Sequence, residues 1–153
     1  MDSYLRIISV ALGLAVALGI ALAAFRGDGS RYQLVTIRGQ VFTLEAATTA
    51  EQRARGLRGR SSLDTDGGML IRLEKPGRLS YSTRNTPFPM DVLYLDGEST
   101  VVGIDQLAAN DERLPGSSSD GPVSGAVLLR GGTASLLHIG RGYRFDLDQG
   151  RRR

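Results

Sequence analysis

The chain has no cysteine and no tryptophan. Without cysteine there can be no disulfide framework, no thiolate metal site and no cysteine nucleophile. Histidine occurs once, as His138, and one imidazole with no carboxylate close in sequence does not make a metal site. No serine stands in a G-x-S-x-G elbow. Neither a Walker phosphate loop nor a dinucleotide fingerprint occurs. A distributed excess of positive charge is missing as well. The formal net charge is +3, and Arg151, Arg152 and Arg153 account for it. The remainder is neutral, which argues against nucleic acid as a partner, because phosphate binding needs a clustered basic face. The terminal arginines read as a solvated tail or as a contact with anionic lipid. No metal and no cofactor is expected.

What is present bounds the architecture. The 153 residues make one domain, or one domain with an appendage. A content of 41% hydrophobic and 23% charged residues excludes a wholly disordered or collagenous chain. Ile7–Phe25 carries no charge over 19 residues and is bracketed by Arg6 and Arg26. As a helix it would span about 28 Å, close to the thickness of a bilayer's hydrocarbon core. It reads as an uncleaved signal anchor. The alternative is a cleaved signal peptide, since Ala21-Leu22-Ala23 has the small-x-small form of a cleavage site. Either places the body outside the cytoplasm. Arg26, Arg31 and Arg38 after the run, against Arg6 before it, pull the other way on a positive-inside count. Residues 1–26 are thus expected to be a membrane anchor or signal segment, 27–31 a linker, 32–148 a β-domain and 149–153 a basic tail.

Period-2 patterning dominates the body. Tyr32–Ile37 and Val41–Ala46 flank a hairpin turn at Arg38-Gly39-Gln40. Further strands are expected at Gly68–Leu73, Leu79–Thr83, Met90–Leu95, Ser99–Asp105, Ala126–Arg130 and Tyr143–Leu147. Thr48-Thr49-Ala50-Glu51 fits a capping box with Thr48 as the cap, opening a helix that Gly56 ends. A second short helix is expected from Thr133 to His138, closed by Gly140, and Asn110–Pro122 reads as a long loop. About eight short strands with one or two short helices describe a mainly β, barrel-like or sandwich domain behind a transmembrane helix.

Two motifs are set aside. Asp64-Thr65-Asp66-Gly67 resembles the start of a calcium loop, but its twelfth position is Lys75 rather than a bidentate Glu. Gly131-Gly132-Thr133 could offer free amides to an anion, though a capped turn explains it as well. The informative stretch is Arg84-Asn85-Thr86-Pro87-Phe88-Pro89-Met90-Asp91. Pro87 and Pro89 stiffen it, and Asn85 favours a turn. Asp91 shares a strand face with Leu93 and Leu95, so it needs a cation or several amides. Arg84 is the natural cation. Arg84, Asn85, Thr86 and Asp91 are accordingly the candidate ligand-binding residues, with an ion pair or amide clamp as the plain structural alternative.

The same residues carry a family likeness. Arg55-Gly56-Leu57, Gly68-Met69-Leu70, Ser80–Thr86 with Pro89-Met90-Asp91, Val127-Leu128-Leu129 before Gly131, and Ile139-Gly140-Arg141-Gly142 occur in the order of a known signature. Together they resemble the domain of unknown function 192 family of bacteria and archaea, over roughly residues 41–147. The resemblance implies a small, mainly β fold, often behind an export or membrane segment, with no assigned activity. It marks Gly56, Leu57, Gly68, Met69, Pro87 and Pro89 as structural motif positions. This chain departs from the pattern at Ser82 and Thr83, where the family has Trp and Met. Arg84 stands for Lys, Arg58 for Met, and Leu129 for Glu.

The expected function is a membrane-tethered, exported domain with a non-catalytic binding or accessory role in the cell envelope. Its partners would be the lipid bilayer, through Ile7–Phe25, and an envelope protein or a small polar ligand. One alternative is a hydrolase or lyase that uses Asp91 as base beside Arg84. Another is a structural subunit that packs through its membrane helix, although Gly13 and Gly19 lack the G-x-x-x-G spacing.

Overall fold

The computed structural model describes residues 31–111 and 121–147. The proposed anchor Ile7–Phe25, the middle of the expected loop and the basic tail lie outside the described residues. No helix among the described residues is long and apolar enough to cross a membrane.

The chain opens with a hairpin of strands β1 (Arg31–Ile37) and β2 (Gln40–Ala47). Arg38 and Gly39 both take positive φ, 50° and 85°, as a two-residue turn between right-twisted strands requires. Helix α1 (Ala50–Arg55) follows. Its capping box is one residue later than expected. The Thr49 hydroxyl accepts from the Gln52 amide at 3.1 Å. Gln52 Oε1 accepts from the amides of Thr48 and Thr49 at 2.9 and 3.1 Å. Gly56 ends the helix with φ 56°.

Strand β3 (Gly67–Gly77) runs parallel to β2. Strands β4 (Met90–Leu95), β5 (Val101–Leu107) and β6 (Val123–Arg130) complete one mixed sheet in the order β1-β2-β3-β6-β4-β5. A short helix α2 (Thr133–Leu136) follows β6. It is two residues shorter than expected, and His138, with φ 52°, turns the chain instead of Gly140. That turn returns Ile139 to the core.

Two expectations are corrected. The sheet is open, because β1 and β5 form its edges and do not pair, so it is neither a barrel nor a two-sheet sandwich. It has six strands, because Leu79–Thr83 and Tyr143–Leu147 join no ladder. Both segments do alternate. Tyr81 and Thr83 are buried while Ser80 is exposed, and Phe145 and Leu147 are buried while Arg144 and Asp146 are exposed. Any extended segment laid across a core buries every second side chain. Pairing also needs a run alongside a free sheet edge; the free edges are β1 and β5, and Tyr143–Phe145 meets one of them only at the start of β5. These segments are straps over the faces. The second is fixed by a lone bridge between Thr100 and Arg144.

The straps give the sheet two cores. On one face Val35, Phe42, Leu44, Leu70, Leu93, Leu95, Val127 and Leu129 pack under Ala134, Ile139, Phe145 and Leu147. On the other Met69, Ile71, Met90, Val92, Tyr94 and Leu128 pack under Leu57, Tyr81 and Phe88. Hence β4 is buried along its whole length, including Asp91.

Candidate functional site

The proline-stiffened segment enters the fold through two buried threonines. Thr83 and Thr86 are 0% and 1% exposed. The Thr83 hydroxyl donates to the Ala108 carbonyl and accepts from the Asp111 amide at 2.9 Å. The Thr86 amide donates to the Thr83 carbonyl, and its own carbonyl accepts from the Asn110 amide at 3.0 Å. Thr86 is therefore part of a clamp between two loops. Arg84 and Asn85 project from the same turn into solvent, with Asn85 at φ 54°.

Asp91 is 1% exposed and lies on the face shared with Leu93 and Leu95, as the alternation predicts. Its partners are not guanidinium groups. Oδ2 accepts from the Ala134 amide at 2.8 Å, and Oδ1 accepts from the Gly132 amide at 3.2 Å. These are donors of the first turn of α2, which has no side-chain cap of its own. The reason is local. The cap position is Gly132 at φ 91°, where an L-residue carrying a cap would be strained. A carboxylate from a neighbouring strand satisfies the amides instead, and its charge suits the helix N-terminus.

The glycine pair makes that approach geometrically feasible. The Gly131 amide donates to the Pro89 carbonyl at 2.7 Å. A Cβ on Gly131 would lie 2.5 Å from the Pro89 Cβ, so only glycine fits there. Pro89-Met90-Asp91 and Gly131-Gly132-Thr133 thus form one lock. Of the amides that could have served an external anion, Gly131's is taken by the Pro89 carbonyl and Gly132's by Asp91.

Of the four candidate residues, the structure buries Thr86 and Asp91 in separate hydrogen-bonded clamps and leaves Arg84 and Asn85 exposed. Asp91 and the Arg84–Thr86 turn are held by different partners, the α2 amides for the first and the Asn110 and Thr83 backbone for the second. A groove of about 650 Å³ opens beside α2, lined by Gln40, Val41, Asp66, Arg130, Thr133 and Leu136 among others. Its walls offer an amide, a hydroxyl, a carboxylate and a guanidinium, suited to hydrogen bonding a small polar ligand. Sequence reasoning missed Gln40, Asp66 and Arg130, because three separate elements bring them together. The Gly131-Gly132 pair beside Arg130 was the one available signal.

Three further polar contacts were also unread. Glu45 is 7% exposed and ion-paired with Arg60. Tyr94 donates to Asp105 Oδ2 at 2.8 Å, and Tyr81 donates to the Arg53 carbonyl at 2.9 Å. Burial drives both phenols well above their ordinary range; the Asp105 carboxylate adds to this at Tyr94, and Arg53 opposes it slightly at Tyr81. Neither phenol is a proton donor near neutrality. No group of three or more metal-ligating side chains occurs among the described residues.

A family model described as "Uncharacterized ACR", the domain of unknown function 192, matches residues 33–147. The chain belongs to that family. The signature positions of the domain of unknown function 192 family now have physical roles in this chain. Gly56 ends α1 against the Tyr81 ring, and Leu57 is buried beside it. Gly68 lies where a Cβ would approach the Leu128 carbonyl to 2.6 Å, and the Met69 side chain enters the core. Leu129, where the family signature has Glu, is the cross-strand neighbour of Asp91.

Two crystal structures are similar to this member of the family. One is a protein of unknown function from Novosphingobium aromaticivorans, with TM-score 0.70 and 27% identity, covering 79% of this chain and 89% of that one. The other, from Sinorhizobium meliloti, is described as a candidate transcription regulator. It has TM-score 0.64 and 28% identity, and the match covers 76% of this chain and 92% of that one. No curated protein matches.

Proposed function

We propose that the protein is a membrane-tethered, exported domain with a non-catalytic binding role in the cell envelope. Ile7–Phe25 is its anchor, and its ligand is an envelope protein or a small polar molecule. The observation that carries the non-catalytic part is the state of Asp91. Its two oxygens are held by backbone amides in a buried site, so it has no path to a substrate proton. The second carboxylate of the family signature is replaced here by Leu129, and the hydrolase reading is left without a base pair. The groove beside α2 is the place for the ligand, with Arg130 and Asp66 as its charged contacts.

Topology and ligand are tested together. In spheroplasts expressing the full chain, protease added outside is expected to digest the body while sparing a cytoplasmic control. A photo-cross-linker placed at Arg130 is expected to capture a stoichiometric envelope component. A body protected from protease overturns the address. Multiple-turnover hydrolysis of a generic ester panel that is lost in Asp91→Asn but kept in Arg130→Ala overturns the non-catalytic reading.

A further inference from the structure

We infer that an apolar strip on the β1–β2 hairpin, formed by Tyr32, Leu34 and Val41, docks on the surface of the bilayer that holds the chain. This rests on the anchor proposed above. Strand register puts Tyr32 opposite Glu45, Leu34 opposite Thr43 and Thr36 opposite Val41. These six side chains therefore share one face of the sheet. Parallel pairing of β2 with β3 continues that face into Met69 and Ile71, in the core beneath Leu57, Tyr81 and Phe88. The cover over this face stops at Glu45, which is buried and paired with Arg60. Beyond it the strip is bare. Tyr32 is 68% exposed, Leu34 65% and Val41 55%.

Three observations select lipid as the occupant. The first is reach. Six residue steps connect Phe25 to Arg31, the first residue of β1, and they reach at most about 22 Å. That is shorter than the width of a domain of this size, so β1 cannot leave the vicinity of the bilayer. The second is chemistry. A tyrosine beside aliphatic side chains suits the headgroup level, with its ring in the apolar boundary and its hydroxyl in water. The third is charge. Arg26 and Arg31 precede the strip in sequence, while its one acid, Glu45, is neutralised by Arg60. Arg38, at the hairpin turn, lies over the Tyr143 ring at 5.0 Å and donates to the His138 carbonyl, so it serves the other face of the sheet.

The test uses the full chain in vesicles of equimolar phosphatidylcholine and phosphatidylglycerol. The native chain has no cysteine, so a single substitution carries a unique fluorescent label. Leu34→Cys probes the strip. Glu98→Cys, in the turn before β5 at the opposite sheet edge, is the control. Both positions are exposed, so neither variant disturbs a core. Nitroxide lipids are expected to quench the Leu34→Cys label, and aqueous iodide to quench it about fivefold less than the Glu98→Cys label. Equal iodide quenching of both labels on chains that float with vesicles overturns the docking while the anchor stands. Chains that fail to float overturn both. Shielding of the Leu34→Cys label without nitroxide quenching, together with disulfide-linked dimers of the unlabelled Leu34→Cys chain under mild oxidation, assigns the strip to a second copy and also overturns the docking.

Discussion

Replacing Asp91 by Asn keeps the shape of the side chain and removes its charge. The carboxylate receives the Ala134 amide at 2.8 Å and the Gly132 amide at 3.2 Å. An amide side chain has one acceptor oxygen. If that oxygen keeps the shorter bond, its NH2 group confronts the Gly132 N–H donor to donor. One charge-assisted hydrogen bond is lost, at about 1.5–3 kcal/mol, with a buried donor left unpaired. Loss of the anion at the helix N-terminus adds about 0.5 kcal/mol. The sum, about 2–4 kcal/mol, is a large part of a small domain's stability and lowers the melting temperature by on the order of 10 °C. Circular dichroism of the full chain in a fixed detergent measures it. Hydrogen exchange locates it, with the Ala134 and Gly132 amides expected to lose protection first. A variant that melts within about 2 °C of the parent, with Ala134 still protected, refutes the capping argument.

The same lock is tested from its other side by Gly131→Ala, whose Cβ would meet the Pro89 backbone. A loss of about 2–3 kcal/mol is expected in urea unfolding, and a neutral result would mean that the turn shifts freely. At α1, Thr49→Ala is expected to cost about 1 kcal/mol and Thr48→Ala less, because Thr49 caps the Gln52 amide. The reverse order of the two urea midpoints would restore the cap to Thr48. Alkaline stability follows from the two buried phenols. Their folded-state pKa is raised above the ordinary value of about 10, so stability is complete below that pH and falls above it. Each phenol contributes a loss of about 1.4 kcal/mol per pH unit once the unfolded tyrosines ionise and the folded ones do not. Comparing urea midpoints at about pH 9 and about pH 11, Tyr94→Phe is expected to flatten the decline; unchanged slopes would count against the burial argument.

Local chemistry made much of the scaffold legible. Arg38-Gly39 encodes a tight turn chiefly through Gly39, which adopts positive φ without cost and lets Arg38 follow at φ 50°. Met90–Leu95 reads as a strand from its own pattern, and that pattern also puts Asp91 on the face of Leu93 and Leu95. Other features depend on distant partners. The amides that hold Asp91 lie 41 and 43 residues away, beyond any spacing argument, so the nearby Arg84 was the only cation in view. Leu79–Thr83 and Tyr143–Leu147 carry strand-like alternation, yet whether such a segment becomes a ladder partner or a strap depends on which sheet edges are free. The capping box slipped by one because Thr48 and Thr49 are chemically alike, and the buried Gln52 side chain selects between them. Sequence by itself determined the hairpin, most of the strands and the family, since each is written in contiguous residues. Only the tertiary structure decided that the sheet stays open, that Asp91 caps a helix and that Gln40, Asp66 and Arg130 share a groove, because each of these is a contact between elements far apart in the chain.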